Sequence, residues 1–396
     1  MTKRYRGGIV SAREVETTAT LSSGVFSSSE AAQEKQAGTW PSPPGTSVQL
    51  TSGASGSTTP YVSAWPFSSL TGFGTRYAAP ASNSGVVVTV SYPISISYSP
   101  QGNAVAYANS AVFTPQVWSW SGAVGWGTKY AAPDTSNTSA PNHATFSRTG
   151  KTIIMQCGTS GIFPTFAHTF DPVNGLGTGV NVGLSNGTSF YNLRTGPNAN
   201  YLMTHYSSGS SPYHAVYPYS EDTLTVGTRL TQAYIPSTAS YVFDLSEDGT
   251  LAVTSQGQAW SVDPNGYFGT KYTNLTGTLG NNIAIRISKN TNYIALALTN
   301  TPYISVITWL KTPGAVGWGT RLTAPATVGF SASQSVAFTP DEAAVLQNTS
   351  SISSQTPWIA AWSISPEGIG TRFAGPDSYN ASASVTRPNT MAVSPN

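Results

Sequence analysis

GWGTKYAAP, residues 125–133, returns along this chain as GFGTRYAAP at 72–80, GWGTRLTAP at 317–325 and GIGTRFAGP at 368–376. Weaker copies keep the frame: GLGTGV at 175–180, TVGTRL at 225–230 and YFGTKY at 267–272. The Gly-Thr pairs begin at Gly74, Gly127, Gly177, Gly227, Gly269, Gly319 and Gly370, so successive gaps are 53, 50, 50, 42, 50 and 51 residues. A fixed period of that size marks an array in which each unit buries its apolar face against its neighbours.

The segments between these marks read as strands. Ser335-Val-Ala-Phe-Thr339 alternates, Pro340-Asp-Glu342 turns, and Ala344-Val-Leu-Gln-Asn348 is a second strand. A Ser/Thr-rich loop closed by Pro357 follows, then a third strand at 358–364, a turn at Pro366-Glu-Gly368 and a fourth strand at 370–374. Four antiparallel strands per period predict a propeller blade, and the helical solenoids of similar period do not fit this composition. The first turn recurs as SPQGNAVAY (99–107), SRTGKTIIM (147–155), SEDGTLAVT (246–254) and SKNTNYIAL (288–296). Aromatic residues near the end of each third strand (Trp65, Trp120, Phe170, Tyr217, Trp260, Trp309, Trp362) are expected to pack between blades. The copy from Gly227 is the shortest, and its second-to-third-strand connection has shrunk to little more than Ser255-Gln-Gly257.

Seven marks predict an all-β, seven-bladed propeller over residues 45–396, with the closing blade shared by both termini. Val48-Gln-Leu50 and residues 61–65 read as second and third strands lacking a first, which Met391-Ala-Val-Ser394 supplies. An alternative register makes Ser384-Val-Thr386 that first strand. Residues 1–44 form a separate arm, basic at Lys3, Arg4, Arg6 and Arg13. Within it Ser27 and Glu30 are spaced as a capping box ahead of a short helix at 28–37, and a proline-rich exit follows Trp40.

Composition narrows the function. Only 9% of residues are charged and the formal net charge is +2, too small and dispersed for a nucleic-acid or anionic-membrane surface. Cys157 is the single cysteine, so no intrachain disulfide or cysteine-based zinc site is expected, and it reads as a small buried apolar residue. No apolar core follows the basic residues of MTKRYRGG, so no signal peptide is expected. No apolar run reaches spanning length, so no membrane insertion is expected. The charged residues that fall on first strands or the connections beside them are His143, Arg148, Arg194, Asp244 and Arg286. None recurs as an acid/base pair or ligand set, and they read as structural, with no cofactor and no metal. The bacterial sialidase box Ser-x-Asp-x-Gly-x-x-Trp is absent, and SEDGTLAV at 246–253 only approaches it.

The opening KRYRGGIVSA, followed by SSGVFSSSEAAQEKQAGTWPSPP, resembles the N-terminal arm of virion proteins of tailed bacteriophages, marine and cyanobacterial ones especially. GFGTRYAAP and SVAFTPD are similar to repeats in propeller domains of phage structural proteins. The resemblance implies a non-enzymatic virion appendage, located on the virion and attached to head, collar or tail proteins through the arm. Arg4, Arg6, Phe26 and Trp40 would make that attachment. Ser/Thr/Asn/Gly-rich loops, represented by Asn109, Ser160, Gly209 and Ser353, would touch host-surface glycans. The alternative is a propeller hydrolase or lyase acting on host-surface polysaccharide.

Overall fold

The computed structural model describes residues 46–51, 62–78, 93–109, 116–131, 141–157, 164–184, 190–206, 214–231, 242–275, 282–325, 333–349, 359–376 and 390–395. Among them there is no helix, and the strands form seven four-stranded antiparallel sheets. The chain is an all-β propeller of four-stranded antiparallel blades. Each sheet runs from an inner strand to an outer one in chain order, as in Pro93–Tyr98, Ala104–Asn109, Gln116–Ser121 and Gly125–Lys129. One sheet departs from that order. Its inner strand is Thr390–Val393, paired with Thr46–Thr51, which continues to Val62–Ser68 and Gly72–Phe73. The register sets Val48 opposite Val393 and Thr51 opposite Thr390, so the Met391 register holds and the closing sheet joins the two ends of the described chain.

The inner strands neighbour one another in cyclic order, and Thr390–Val393 touches both Ser333–Phe338 and Pro93–Tyr98. Apolar cores lie between the sheets. Ala284, Ala295 and Ala297 of one sheet receive Trp362 and Val345 of the next, and Ala337, Ala344 and Ala361 receive Trp65. Small residues on one face make room for the aromatic on the facing one, as close packing requires. All seven expected aromatics are buried in such clusters. Because middle strands are covered on both faces, they lose the alternation of a half-exposed strand, and Thr152–Cys157 is buried throughout, Cys157 included.

The Gly-Thr beat has a local cause. Five of the seven outer strands join their neighbours at a bulge, for example between Trp118 and Trp120. There Ser119 Oγ accepts from the Thr128 amide at 2.8 Å, and a Cβ on Gly127 would collide with that oxygen. Ser261 serves Thr270, and Thr308 serves Thr320, in the same way at 2.8 Å. In two copies a proline stands in the hydroxyl's place, Pro66 and Pro218, and its carbonyl accepts from Gly74 and Gly227 at 2.8 Å. The recurrent cation after Gly-Thr has a partner too: Lys129 and Lys271 lie 5.4 and 5.6 Å from the ring centroids of Trp118 and Trp260.

The shortest copy is described throughout. Gly257 donates to Thr254 at 2.9 Å, closing a tight turn between second and third strands. The arm, its expected helix and its attachment residues Arg4, Arg6, Phe26 and Trp40 lie outside the described residues, as do Ser160, Gly209 and Ser353. Asn109 is the last residue of the Ala104–Asn109 strand and pairs with Pro93.

Candidate active site in the central channel

The first turn of each repeat fixes which inner-strand residues face the channel. In six copies the amide of the turn residue donates to the carbonyl five residues on, at 2.8–3.0 Å: Ser99, Ser147, Gly196, Ser246, Ser288 and Thr339. Ser394 stands in the same position in the closing sheet. Counting back from it, the first and third residues enter the apolar clusters, as Leu245 and Phe243 do. The second and fourth point the other way, where the polar ones line the channel while Ala284 and Ala337 also meet a neighbouring sheet. The residue after the turn position sits at the mouth.

These rings bound a cavity of about 500 Å³ that opens toward the first turns. In the ring two residues before the turn, three consecutive sheets contribute Arg194, Asp244 and Arg286. The remaining four contribute only Ser97, Thr145, Ala337 and Ala392, so the charge lies along one wall and small groups along the other. One layer deeper are His143 and Asn192. At the mouth Arg148, Glu247 and Lys289 are interleaved with prolines, among them Pro100, Pro340 and Pro395.

Asp244 organises the charged wall. Its Oδ1 accepts from Arg194 Nε at 2.8 Å and lies 3.9 Å from Arg286 Nη1, while Oδ2 accepts from the Ile287 amide at 2.9 Å. The last bond repeats a device used around the ring, where a channel-facing side chain takes the backbone amide of the next inner strand. Ser95 accepts from Ala144 at 2.7 Å and Ser97 from Phe146 at 3.2 Å. Arg194 also donates through Nη1 to Asn192 Oδ1 at 2.8 Å, and Asn192 Nδ2 donates to the Phe243 carbonyl at 2.6 Å. Burial would raise the Asp244 carboxyl, but Arg194, Arg286 and the Ile287 amide outweigh it and hold it below the usual carboxylate range. Burial and the Arg194 charge push Arg286 down to about 10 against the pull of Asp244.

His143 is the uncommitted group. Its Nδ1 is buried without a hydrogen-bond partner among the described residues. Burial, followed by the charges of Arg194 and Arg286, pushes its imidazole down to about 3, so it is neutral at physiological pH. At the mouth Arg148 is committed: Nη1 lies 2.9 Å from Glu247 Oε2 and Nη2 donates to the Leu245 carbonyl at 2.8 Å. Several other carboxylates clasp neighbouring turns. Glu221 accepts from Ser147 at 2.5 Å and from Thr152 at 3.0 Å, and Glu342 accepts from Asn292 at 2.6 Å. Among the described residues no three of His, Cys, Asp or Glu come together to hold a metal ion.

All five charged residues singled out in the sequence thus meet in one cavity. Arg148 and Asp244 are engaged by ion pairs and backbone groups, whereas His143 Nδ1 meets no partner among the described residues. Glu247 and Lys289 join them without having been singled out. Their signal was the mouth position, which reads Pro, Arg, Pro, Glu, Lys, Pro, Pro around the seven copies.

No protein-family model matches the sequence, and neither does any curated protein. Solved structures do match. The Pseudomonas aeruginosa periplasmic gluconolactonase has a TM-score of 0.62 at 13% identity, covering 88% of this chain and 99% of that one. A candidate 6-phosphogluconolactonase from Bacteroides uniformis has a TM-score of 0.63 at 13% identity, covering 89% and 100%. A second such candidate, from Bacteroides fragilis, has a TM-score of 0.62 at 12% identity, covering 88% and 98%. At this identity the likeness shows the fold. It also corrects the expectation of a non-enzymatic virion appendage. The architecture matched over the whole ring is one carried by lactonases, and the channel gathers the charged residues that the sequence reading took as structural.

Proposed function

We propose that this chain is a seven-bladed propeller hydrolase that opens small lactones or related esters by attack of water in its central channel. The observation that carries the reading is His143. It is a neutral imidazole whose buried Nδ1 has no partner, and it shares a cavity with two arginines braced by one carboxylate. Nitrogens of His168 and His214 are also buried without a partner among the described residues, but of the three histidines only His143 lines the cavity. The gluconolactonase likeness supports the choice of reaction, and a cavity of about 500 Å³ suits a ligand of monosaccharide size better than a polymer.

The roles follow from the chemistry. Water adds to the lactone carbonyl while His143 takes its proton. Arg194 and Arg286 stabilise the oxyanion that forms, and Asp244 holds them in place as a positioning residue. Collapse breaks the bond to the ring oxygen, which receives the proton from His143, leaving a hydroxy acid. The serine and threonine hydroxyls of the opposite wall face the polyol.

Full-length protein should accelerate proton release from aldonolactones above the spontaneous rate, followed with a pH indicator. His143→Gln should lower kcat about 10²-fold, the lower end of the general-base range, because an imidazole pushed down to about 3 is a weak base. Because His143 is neutral down to about pH 3 in the free protein, kcat/KM should stay flat through neutrality and fall only in strong acid. No acceleration with any lactone or ester tested, or full activity in His143→Gln, would remove the reading.

A further inference from the structure

The charges of this cavity do not cancel. Four cations line it, Arg148, Arg194, Arg286 and Lys289, against the two carboxylates Asp244 and Glu247. Glu247 is engaged by Arg148 at 2.9 Å, and Asp244 gives its short contact, 2.8 Å, to Arg194. Arg286 stands off at 3.9 Å and makes one backbone hydrogen bond, to the Ile285 carbonyl at 3.0 Å, leaving most of its five donors unspent. Lys289 is exposed at the mouth and forms no ion pair among the described residues. The two surplus charges therefore belong to one sheet, three residues apart along the chain. That separation spans at most about 10 Å of backbone.

We infer that the channel takes a ligand with two acidic groups at opposite ends of a short polyol, one seated on Arg286 inside and the other on Lys289 at the entrance. The inference rests on the channel being the reaction site. It adds that the substrate is a lactone already bearing one acid group, so that hydrolysis leaves a dianion. The inner anion is the carboxylate freed from the lactone carbonyl, formed where the arginines await it. The outer anion is a carboxylate or a phosphate, either of which an ammonium group pairs with. Ser97 and Thr145 on the uncharged wall, whose own donated bonds are long at 3.3–3.5 Å, supply hydrogen-bonding partners for the hydroxyls between the two ends.

The test is calorimetric binding to the full-length protein, with no turnover involved. Glucitol, gluconate and glucarate share a six-carbon polyol chain and carry zero, one and two negative charges. Affinity should rise about tenfold or more at each step, as expected for a charge-assisted hydrogen bond formed in a partly enclosed site. Lys289→Gln, an exposed change, should bring glucarate down to the level of gluconate and leave gluconate itself unchanged. Arg286→Gln should weaken both. Comparing 6-phosphogluconate with glucarate tells whether the outer group is a phosphate or a carboxylate, and a gain over gluconate by either supports the inference. Glucarate and 6-phosphogluconate binding no tighter than gluconate, or unaffected by Lys289→Gln, would overturn it. The charge steps appearing without any lactone hydrolysis would sustain the anion site and remove the hydrolase. Hydrolysis of neutral lactones without the charge steps would do the reverse.

Discussion

Asp244 holds two arginines through one oxygen and the backbone of the next inner strand through the other. Asp244→Ala leaves two partly buried guanidinium groups without a counter-charge and the Ile287 amide without an acceptor. It should cost about 3 kcal/mol of unfolding free energy in chemical denaturation, the scale for breaking a mostly buried ion pair. Asp244→Asn keeps an acceptor for the amide and should cost less. Acid should act on the same ring. Burial pushes His143 to about 3 and His205 to about 4, and holds His214 well below its ordinary value. These groups take up protons more readily in the unfolded chain, whose histidines titrate near 6.5. Their contribution is therefore fully present above that pH and is lost as pH falls toward their folded values. The Asp244 carboxylate adds a further loss below its unfolded value. The midpoint of thermal unfolding should be steady from pH 8 to 7 and fall between pH 6.5 and 4. A flat profile over that interval would mean that these histidines are not held neutral. At this scale the sequence displayed five of the charged residues that line the cavity and concealed their meeting. His143 and Lys289 are brought to one cavity only by ring closure, which no local pattern announces.

At the scale of the element, the repeat was legible and its cause was not. Gly127 recurs because Ser119 on the adjacent strand fills the space that a Cβ would need. Read along the chain, that serine is one polar residue among many. The aromatics were easier, since a Trp or Tyr at a fixed place in each copy must be buried somewhere, and only neighbouring sheets are within reach. The strand Thr390–Val393 was readable from its likeness to Val336-Ala-Phe-Thr339, although Ser384-Val-Thr386 competed until pairing with Thr46–Thr51 settled the register. Deleting residues 390–396 should remove the inner strand of the closing sheet and bare the edge of Thr46–Thr51. Met391 would leave the cluster holding Trp65 and Phe67. Thermal unfolding followed by circular dichroism should lose its single sharp transition. A truncated chain that melts like the intact one would show that the ring does not depend on that strand.

For the whole molecule, period and composition were enough for the propeller, because the turn chemistry repeats and each unit lacks a core of its own. Function was harder to read. A chain with 9% charged residues looks short of catalytic material until the ring gathers its few cations and acids along one wall. The arm that suggested a virion setting is distinct in sequence from the ring and says little about chemistry in the channel. The way the closing sheet is assembled has a consequence in time. Thr46–Thr51 emerges from the ribosome before every other described strand, whereas the strand that covers its inner edge comes after all of them. Until that last strand arrives, the first one keeps an open ladder edge, the kind of feature that recruits stray chains. The channel wall also lacks one of its staves until Thr390–Val393 is translated. A nascent chain can thus assemble six sheets and still have no enclosed pocket, so ligand binding would begin only once Thr390–Val393 has joined the ring.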